Sequence, residues 1–248
     1  MGDMYPSVYD LREFYASRRG RGVRRILGAR IRDVFSDVHG LRVMGCGYGV
    51  PYLSGFVEEA DRVCGVMFSG GGVHVWPEDD GNLICLADGY GLPFETNSVD
   101  RIVVVHGVEF SDSVGEMLSE IWRVLKSNGR VVFVVPNRGG FWARGDRTPF
   151  GQGAVYSLAQ VKRLLRHHAF VYERSLGALY LPPWFSFSKS LRWFERFGQR
   201  FLPFGAGVHI VEVSKQLYAD ARPSGGSKVG VGKRLAVKAE GISGKYID

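Results

Sequence analysis

The spacing of apolar residues changes along the chain from a helical period to short, strand-like runs. Residues 7–35 predict a helical segment, because apolar side chains recur there at i, i+3 and i+4 while arginines occupy the other face. Five strand-length apolar runs follow at the intervals of an α/β domain, at 41–44, 62–67, 83–87, 101–106 and 130–135. The last two are uninterrupted, which is typical of central parallel strands that are buried on both faces.

Capping residues predict helices between and after these strands. A capping box of Ser113 and Glu116 opens a helix, and the dipeptide 128–129 (Asn-Gly) is expected to end it. A second capping box, formed by Ser157 and Gln160, opens another helix.

Two β-rich runs, 170–181 and 207–217, follow the last of these helices and are expected to pair antiparallel at the sheet edge. The alternation of strands and helices before them predicts a doubly wound, mostly parallel α/β sheet of seven strands with a C-terminal antiparallel hairpin. Ligands of such folds bind at the carboxyl ends of the strands, near the point where the strand order reverses. The loops that follow the strands are therefore where function is expected.

The pattern divides the chain into an N-terminal helical segment at 1–36, a domain at 37–220 with an insertion at about 181–204, and a basic tail at 221–248. The tail is rich in Gly, Ser and Lys without periodicity, so we expect it to be disordered. Aromatic residues in the segment 185–202 share one helical face, with basic residues interspersed. This segment either contacts an anionic membrane surface, caps a hydrophobic acceptor, or packs on the domain as an amphipathic helix.

The chain has 248 residues, of which 45% are hydrophobic and 23% are charged, as in globular proteins with a sizeable core. No apolar run is long enough to span a bilayer, and no secretory signal is recognised after Met1, so a cytoplasmic location is expected. Cys46, Cys64 and Cys85 have neither the even number of a disulfide framework nor the CxxC spacing of a zinc site. No metal is expected.

The net charge of +7 raises the alternative of a nucleic-acid partner. The basic residues concentrate at 18–32 and after residue 220, where a solvated helix face and a soluble tail account for them as well. No recognisable RNA-binding appendage accompanies them, so nucleic acid is not the expected partner.

A glycine-rich turn, GCGYG at 45–49, follows the first predicted strand. Glycines at alternate positions let a backbone turn sharply and approach a small molecule closely, because no Cβ intervenes. A dinucleotide fingerprint needs its third glycine one place later, where this chain has Val50, and the Gly-Lys-Ser/Thr of a P-loop does not follow. Both of these nucleotide sites are therefore disfavoured.

Two further segments accompany the glycine-rich turn: DGYGLPF at 88–94, followed by NSVD at 97–100, and EIWRVLKSNGR at 120–130. With the turn they cover residues 41–136, and in order and spacing they resemble the class I S-adenosylmethionine-dependent methyltransferase family, methyltransferase type 11 in particular. The helix end departs from the family pattern, since Ser-Asn replaces Pro-Gly there.

The resemblance implies a Rossmann-like methyltransferase fold with S-adenosylmethionine as cofactor. The glycine-rich turn would lie against the methionine portion, Asp88 would accept a hydrogen bond from the adenine amino group, and His106 would border the sulfonium. The implied cofactor-binding residues are Gly45, Cys46, Gly47, Gly49, Met67, Asp88, Gly89, His106 and Gly107.

Two residues depart from the family's cofactor site. Val43 stands in the first strand where the family usually has an acid, and Met67 stands where an acid usually bridges the ribose hydroxyls. Hydrogen bonds to charged groups contribute about 1.5–3 kcal/mol each, so their loss weakens binding by powers of ten unless other residues compensate.

Methyl transfer from a sulfonium is an in-line displacement, so the protein mainly aligns the reactants and excludes water. An acceptor hydroxyl or acidic carbon also needs a general base, for which the candidates are His106, Glu109, Tyr156 and His209. The residues expected to wall the acceptor pocket are Tyr15, Phe150 and Tyr156.

The resemblance therefore favours methyl transfer from S-adenosylmethionine to a small-molecule or lipid-like acceptor. The missing acids favour a different alternative, in which a degenerate methyltransferase fold serves as a binding or regulatory module. An RNA-modifying methyltransferase is the third and least favoured alternative.

Overall fold

The computed structural model of the chain describes residues 6–79, 81–145, 147–185, 191–202 and 205–216, with the backbone alone for 191–193. These residues lie within one compact unit, Met1–Leu217. The predicted tail at 221–248 lies outside the described residues.

The sheet contains seven strands. They are β1 Arg42–Gly47, β2 Arg62–Phe68, β3 Ile84–Ala87, β4 Val99–Val105, β5 Leu125–Pro136, β6 Val171–Ala178 and β7 Val208–Ser214. Their order in the sheet is β3-β2-β1-β4-β5-β7-β6, with β1 to β5 parallel and β7 antiparallel to both of its neighbours. The predicted doubly wound sheet with a C-terminal antiparallel hairpin is confirmed, and the strand order reverses between β1 and β4.

Helices cover both faces of this sheet. They are α1 Val8–Ala16, α2 Arg18–Val34, α3 Val50–Leu53, α4 Val114–Val124, α5 Leu158–His167 and α6 Leu191–Phe201. The first three helices share a hydrophobic core with one face of the sheet, and α4 and α5 share a second core with the other. Val43 and Met44 of β1 point into different cores, as the period of two in a strand requires. Among the described residues, no helix has the length and apolarity needed to cross a membrane.

The predicted helical segment at 7–35 is two helices, because the chain turns at Ser17. The backbone of Ser17 is extended (φ −67°, ψ 163°), and its hydroxyl accepts a hydrogen bond from the Gly20 N–H in the first turn of α2. A Cβ at Gly20 would lie 1.9 Å from the Phe14 carbonyl oxygen, so a glycine is needed for this close turn. The turn lets α1 take a direction of its own, independent of α2.

The capping box expected from Ser113 and Glu116 is wrong, because the Ser113 side chain makes no capping hydrogen bond at the start of α4. α4 also ends earlier than expected, and Asn128 and Gly129 lie within β5. There the Asn128 N–H donates to the Lys215 carbonyl oxygen, and the Lys215 N–H donates to the Gly129 carbonyl oxygen. These hydrogen bonds to a distant part of the chain keep the dipeptide in the sheet. They cannot be predicted from the sequence around residues 128–129.

The region after α4 follows the prediction more closely. The Ser157 hydroxyl accepts a hydrogen bond from the Gln160 N–H, and the Gln160 side chain accepts one from the Ser157 N–H, so this capping box is confirmed. The runs 170–181 and 207–217 contain β6 and β7, which pair antiparallel as expected.

Candidate functional site

The glycine-rich turn closes against the carboxyl end of β4. Gly47 has φ +71°, and a Cβ on it would lie 2.5 Å from the Val105 carbonyl oxygen. That carbonyl accepts a 2.7 Å hydrogen bond from the Tyr48 N–H. A Cβ on Gly49 would lie 3.0 Å from the Gly45 Cα. The glycines are therefore needed for the turn itself, whether or not a ligand is present.

A chain of buried polar side chains, here called the His106 network, begins at the end of β4. His106 Nδ1 lies 3.0 Å from Glu109 Oε1, and His106 Nε2 lies 2.9 Å from the Tyr15 hydroxyl. The Tyr15 hydroxyl lies 3.0 Å from the Tyr52 hydroxyl. All four residues are buried. The network thus joins β4 and the segment after it to α1 and α3.

Burial fixes the protonation of the two phenols in the His106 network. Burial raises the pKa of Tyr15 well above its usual value, and the neighbouring Tyr52 and the Glu109 carboxylate raise it further. Burial also raises the pKa of Tyr52. Both phenols are therefore neutral over the ordinary pH range, and each has a single proton to donate.

The three contacts allow more than one donor order. In one of them Tyr52 donates to Tyr15, Tyr15 donates to His106 Nε2, and His106 Nδ1–H donates to Glu109 Oε1. Glu109 Oε2 makes no hydrogen bond to any described residue. In that order the proton of the imidazole is on Nδ1, and Nε2 accepts from the Tyr15 hydroxyl.

Aromatic rings surround His106 on the side of α1. The Phe150 ring centroid lies 4.7 Å from that of His106, and the Trp142 ring meets Phe150 edge-on at 5.7 Å. The Tyr15 ring stacks on Tyr48 at 5.6 Å. Two of the predicted acceptor-site residues, Tyr15 and Phe150, therefore meet at the predicted base His106.

The other two candidate bases differ in position. Tyr156 is half-buried. Burial raises its pKa, and the Glu109 carboxylate raises it further, so Tyr156 lies within electrostatic reach of the His106 network. His209 lies in β7 opposite Val135, and two steps in the strand order separate β7 from β4. The contacts of the described residues do not connect His209 to the network.

The start of the described chain covers the glycine-rich turn. The apolar face of α1 lies against it, and the cavity that remains between them has a volume of about 20 Å³. Residues on both sides of this cavity include Val8, Leu11, Gly47, Met67, Phe68 and His106. A space of this size holds roughly one water molecule, whereas sites for drug-sized ligands have roughly 300–1,000 Å³.

The ends of β2 and β3 form an apolar surface at the base of the site. Met67 is buried and points into the same core as α1. The Phe68 ring lies close to Gly89 and Gly107, since a Cβ on either glycine would be 3.6 or 3.2 Å from it. The three residues at these strand ends therefore pack together around an aromatic ring, without the acid that the family usually has at position 67.

A carboxylate stands beside this surface, at Asp88 after β3. The Ser69 hydroxyl donates a hydrogen bond to Asp88 Oδ1. A hydrogen bond to Asp88, together with its negative charge, raises the pKa of the exposed Tyr90. Asp88 is half-buried. A carboxylate has about four lone-pair sites, so Asp88 retains the capacity to accept a further hydrogen bond from a ligand.

These residues fit S-adenosylmethionine in chemistry. The glycine-rich turn and Asp88 lie at the carboxyl edge of the sheet, where a doubly wound fold binds its ligand. Met67 supplies no acceptor for ribose hydroxyls, and the 20 Å³ cavity between α1 and the turn admits no nucleoside. Cofactor binding in this cavity therefore requires α1 to move.

Comparison with known proteins agrees with this arrangement. Residues 43–133, which include the glycine-rich turn, Asp88 and His106, match the family model described as a methyltransferase domain. No curated protein matches the chain.

Solved structures share the fold at low sequence identity. A methyltransferase from Archaeoglobus fulgidus, described as dependent on S-adenosylmethionine, is 18% identical, with a TM-score of 0.57 over 84% of this chain and 100% of that one. A possible histamine N-methyltransferase from Thermotoga maritima is 14% identical, with a TM-score of 0.55 over 84% and 96%. The [4+2]-cyclase SpnF is 18% identical, with a TM-score of 0.54 over 77% and 80%.

Residues 43–133 thus match a methyltransferase domain, and the fold is one that S-adenosylmethionine-dependent methyltransferases share. The roles of the individual site residues stay predictions. Tyr52 and the covering position of α1 were not expected. The one sequence signal for the latter is the spacing of Val8, Leu11 and Tyr15, which places them on one helical face.

Proposed function

We propose that this protein transfers a methyl group from S-adenosylmethionine to a small-molecule or lipid-like acceptor. The observation that carries the proposal is the position of the His106 network, directly beside the glycine-rich turn of a methyltransferase domain. A buried imidazole held by a carboxylate on one nitrogen, with its other nitrogen basic, is the arrangement of a general base.

α1 acts as a cover in this proposal. When α1 moves, the Tyr15 hydroxyl leaves His106 Nε2, which exposes the base and the glycine-rich turn at the same time. The cofactor supplies the electrophilic methyl group when it is bound. Gly47 lets the backbone approach the ligand closely, and Asp88 offers a hydrogen-bond acceptor at the mouth of the site.

His106 takes up the proton of the acceptor. The acceptor's oxygen or acidic carbon would form the new bond to the methyl group as the methyl–sulfur bond breaks and S-adenosylhomocysteine leaves, and its proton would pass to Nε2. Glu109 holds the other proton of the ring on Nδ1 and stabilises the imidazolium that results.

The surroundings of His106 favour an acceptor with an apolar part. Phe150 and Trp142 are buried beside the imidazole. Aromatic walls of this kind bind hydrophobic surface and exclude water from the reacting groups. The Thermotoga maritima protein of the same fold, a possible histamine N-methyltransferase, is named for a small-molecule acceptor, which supports this acceptor class.

Calorimetric titration with S-adenosylhomocysteine tests the proposed site. We expect Asp88→Ala to weaken binding by about 10- to 100-fold, because a hydrogen bond to a charged group contributes about 1.5–3 kcal/mol. Asp61→Ala is the matched control, since Asp61 is an exposed acid just before β2, at the opposite end of that strand from the site. Equal affinities of the two variants would contradict the assignment of Asp88.

A second candidate function is a non-catalytic binding or regulatory module. Two features favour it: Met67 stands in place of the ribose-binding acid, and the cavity beneath α1 is small. SpnF, which has the same fold, is named as a cyclase and not as a methyltransferase. If neither the wild-type protein nor Tyr15→Ala binds the cofactor at millimolar concentration, this second function replaces the first.

A further inference from the structure

The inner face of α6 is polar and small. Glu195 is buried, and its carboxylate accepts hydrogen bonds from the N–H groups of Leu179 (3.2 Å) and Tyr180 (2.8 Å). Three residues further along, a Cβ on Gly198 would lie 2.4 Å from the Tyr180 side chain. Residues 195 and 198 therefore mark the side of α6 that faces the protein.

The flank of α6 next to this inner side is aromatic. The exposed fractions are 41% for Phe194, 42% for Phe197 and 63% for Phe201, and Leu202 beyond the helix end is 53% exposed. The spacing of the three phenylalanines, i, i+3 and i+7, places them on one helical face. A helix that packed on the domain by its apolar face would bury these rings. In the described part of α6 the buried residues are instead Glu195 and Gly198, and the phenylalanine rings stay partly exposed.

Positive charge accompanies the exposed rings. Arg196 and Arg200 of α6 are exposed, whereas the one acid in the helix, Glu195, is buried against the protein. The outer side of the described part of α6 is therefore cationic and aromatic, with no carboxylate.

A second group of exposed aromatic residues includes Trp184, which lies a few residues after Leu179 and Tyr180, the residues that contact Glu195 of α6. Trp184 is 61% exposed, and its ring lies 5.4 Å from that of Phe141. The Arg144 guanidinium stands over the Phe141 ring at 5.1 Å. The neighbouring Trp142 donates a hydrogen bond to the carbonyl oxygen of Leu181, which ties this group to the segment beneath α6.

We propose that the exposed surface of α6, formed by its phenylalanines and two arginines, binds the surface of a bilayer that contains anionic phospholipid. Aromatic rings and arginines are the side chains that the interface between headgroups and acyl chains favours, and arginines near an anionic surface add electrostatic attraction. α6 has 11 residues, which is too short to span a bilayer, so it lies in the plane of the surface. The proposal does not depend on methyl transfer.

Co-sedimentation of the full chain with vesicles tests this binding. We expect binding to vesicles of equal parts phosphatidylglycerol and phosphatidylcholine, and at least about tenfold weaker binding to phosphatidylcholine alone. Phe197→Ser with Phe201→Ser removes two rings from the contact and weakens binding to the mixed vesicles at least about tenfold. Arg196→Glu with Arg200→Glu has a similar effect, because each arginine contributes about a fivefold factor.

Matched controls separate this face from general surface effects. Leu86→Ser removes an exposed apolar residue from β3, and Arg163→Glu reverses an exposed charge on α5. Neither should change vesicle binding by more than about twofold. Thermal unfolding of each variant in the absence of lipid shows whether the variant remains folded.

The proposal is overturned if the full chain does not bind the mixed vesicles. It is also overturned if the folded phenylalanine variant binds them as the wild type does, which would place the lipid contact elsewhere, such as in the basic tail. Self-association that is lost in the phenylalanine variant, in the absence of vesicle binding, would identify this face as an interface between copies of the chain.

Discussion

His106 is held in a left-handed backbone conformation, with φ +52°. Residues other than glycine seldom adopt it, and where they do, the surrounding structure must hold them there. At this residue the side chain has a partner on each ring nitrogen, Glu109 and Tyr15. The strained backbone thus directs the imidazole towards α1, which agrees with a functional role for His106.

A different histidine makes stability depend on pH. Burial lowers the pKa of His209 from its usual value of 6.5 to about 4. Between these values the unfolded chain binds a proton that the folded chain does not, so stability is complete above about pH 6.5 and falls as the pH falls towards 4. From pH 7 to pH 5 we expect a loss on the order of 1–2 kcal/mol from this group, after allowance for its partial exposure.

Urea unfolding at the two pH values measures this loss. In His209→Gln the difference between pH 7 and pH 5 should shrink by that amount, whereas the exposed His167→Gln should retain the wild-type difference. An unchanged pH dependence in His209→Gln would show that other groups cause it.

At the scale of elements, α1 determines access to the site. Its inner face contributes Val8, Leu11 and Tyr15 to the core of the sheet, whereas Tyr9 on the same helix is 69% exposed. The helix therefore behaves as a docked cover, whose opening adds a free-energy cost to ligand binding.

Loosening α1 should raise cofactor affinity. Tyr15→Ala removes the hydrogen bonds to His106 and Tyr52 and the stacking on Tyr48, so the open state becomes more populated. We expect S-adenosylhomocysteine to bind at least about tenfold more tightly in calorimetric titration. Tyr9→Ala is the control, because it makes the same substitution on the exposed side of the same helix. Weaker binding in Tyr15→Ala would instead show that Tyr15 contacts the ligand.

Elements were predictable from the sequence where local pattern decides them. The apolar runs predicted the strands, and the glycines at 45–49 predicted the tight turn after β1, because a period of two and the absence of Cβ are local properties. The break at Ser17 and the inclusion of Asn128 in β5 depend on tertiary contacts. The pairing of Tyr15 with His106 joins residues 91 positions apart, and no local pattern encodes it.

At the scale of the whole molecule, the last strand holds the fold together. β7 inserts between β5 and β6, and Lys215 follows it directly. The Lys215 ammonium is buried and donates to Asn97 Oδ1 (2.7 Å) and to the carbonyl oxygens of Trp122 and Leu125 (2.8 Å each). One side chain thus links the end of the sheet to the junction of α4 and β5.

Loss of this link should destabilise the protein as a unit. Lys215→Met leaves three acceptors without their donor, one of them the buried Leu125 carbonyl, so we expect the free energy of unfolding to fall by about 2–4 kcal/mol. Lys162→Met is the control, since Lys162 on α5 stands over the ring of the exposed Tyr172 and should contribute less than about 1 kcal/mol. Urea denaturation measures both. A similar small change in the two variants would contradict a structural role for Lys215.

The cover of the site leaves the ribosome before the sheet that it covers. Two of its docking partners emerge much later in translation, because Tyr15 contacts His106 and the neighbouring Phe14 meets the Phe150 ring. The apolar side of α1 can meet Tyr48 and Tyr52 soon after β1 is synthesised, but not the end of β4. The contact with His106 has to wait for a residue 91 positions further along the chain, and the site closes only once the sheet behind it has assembled.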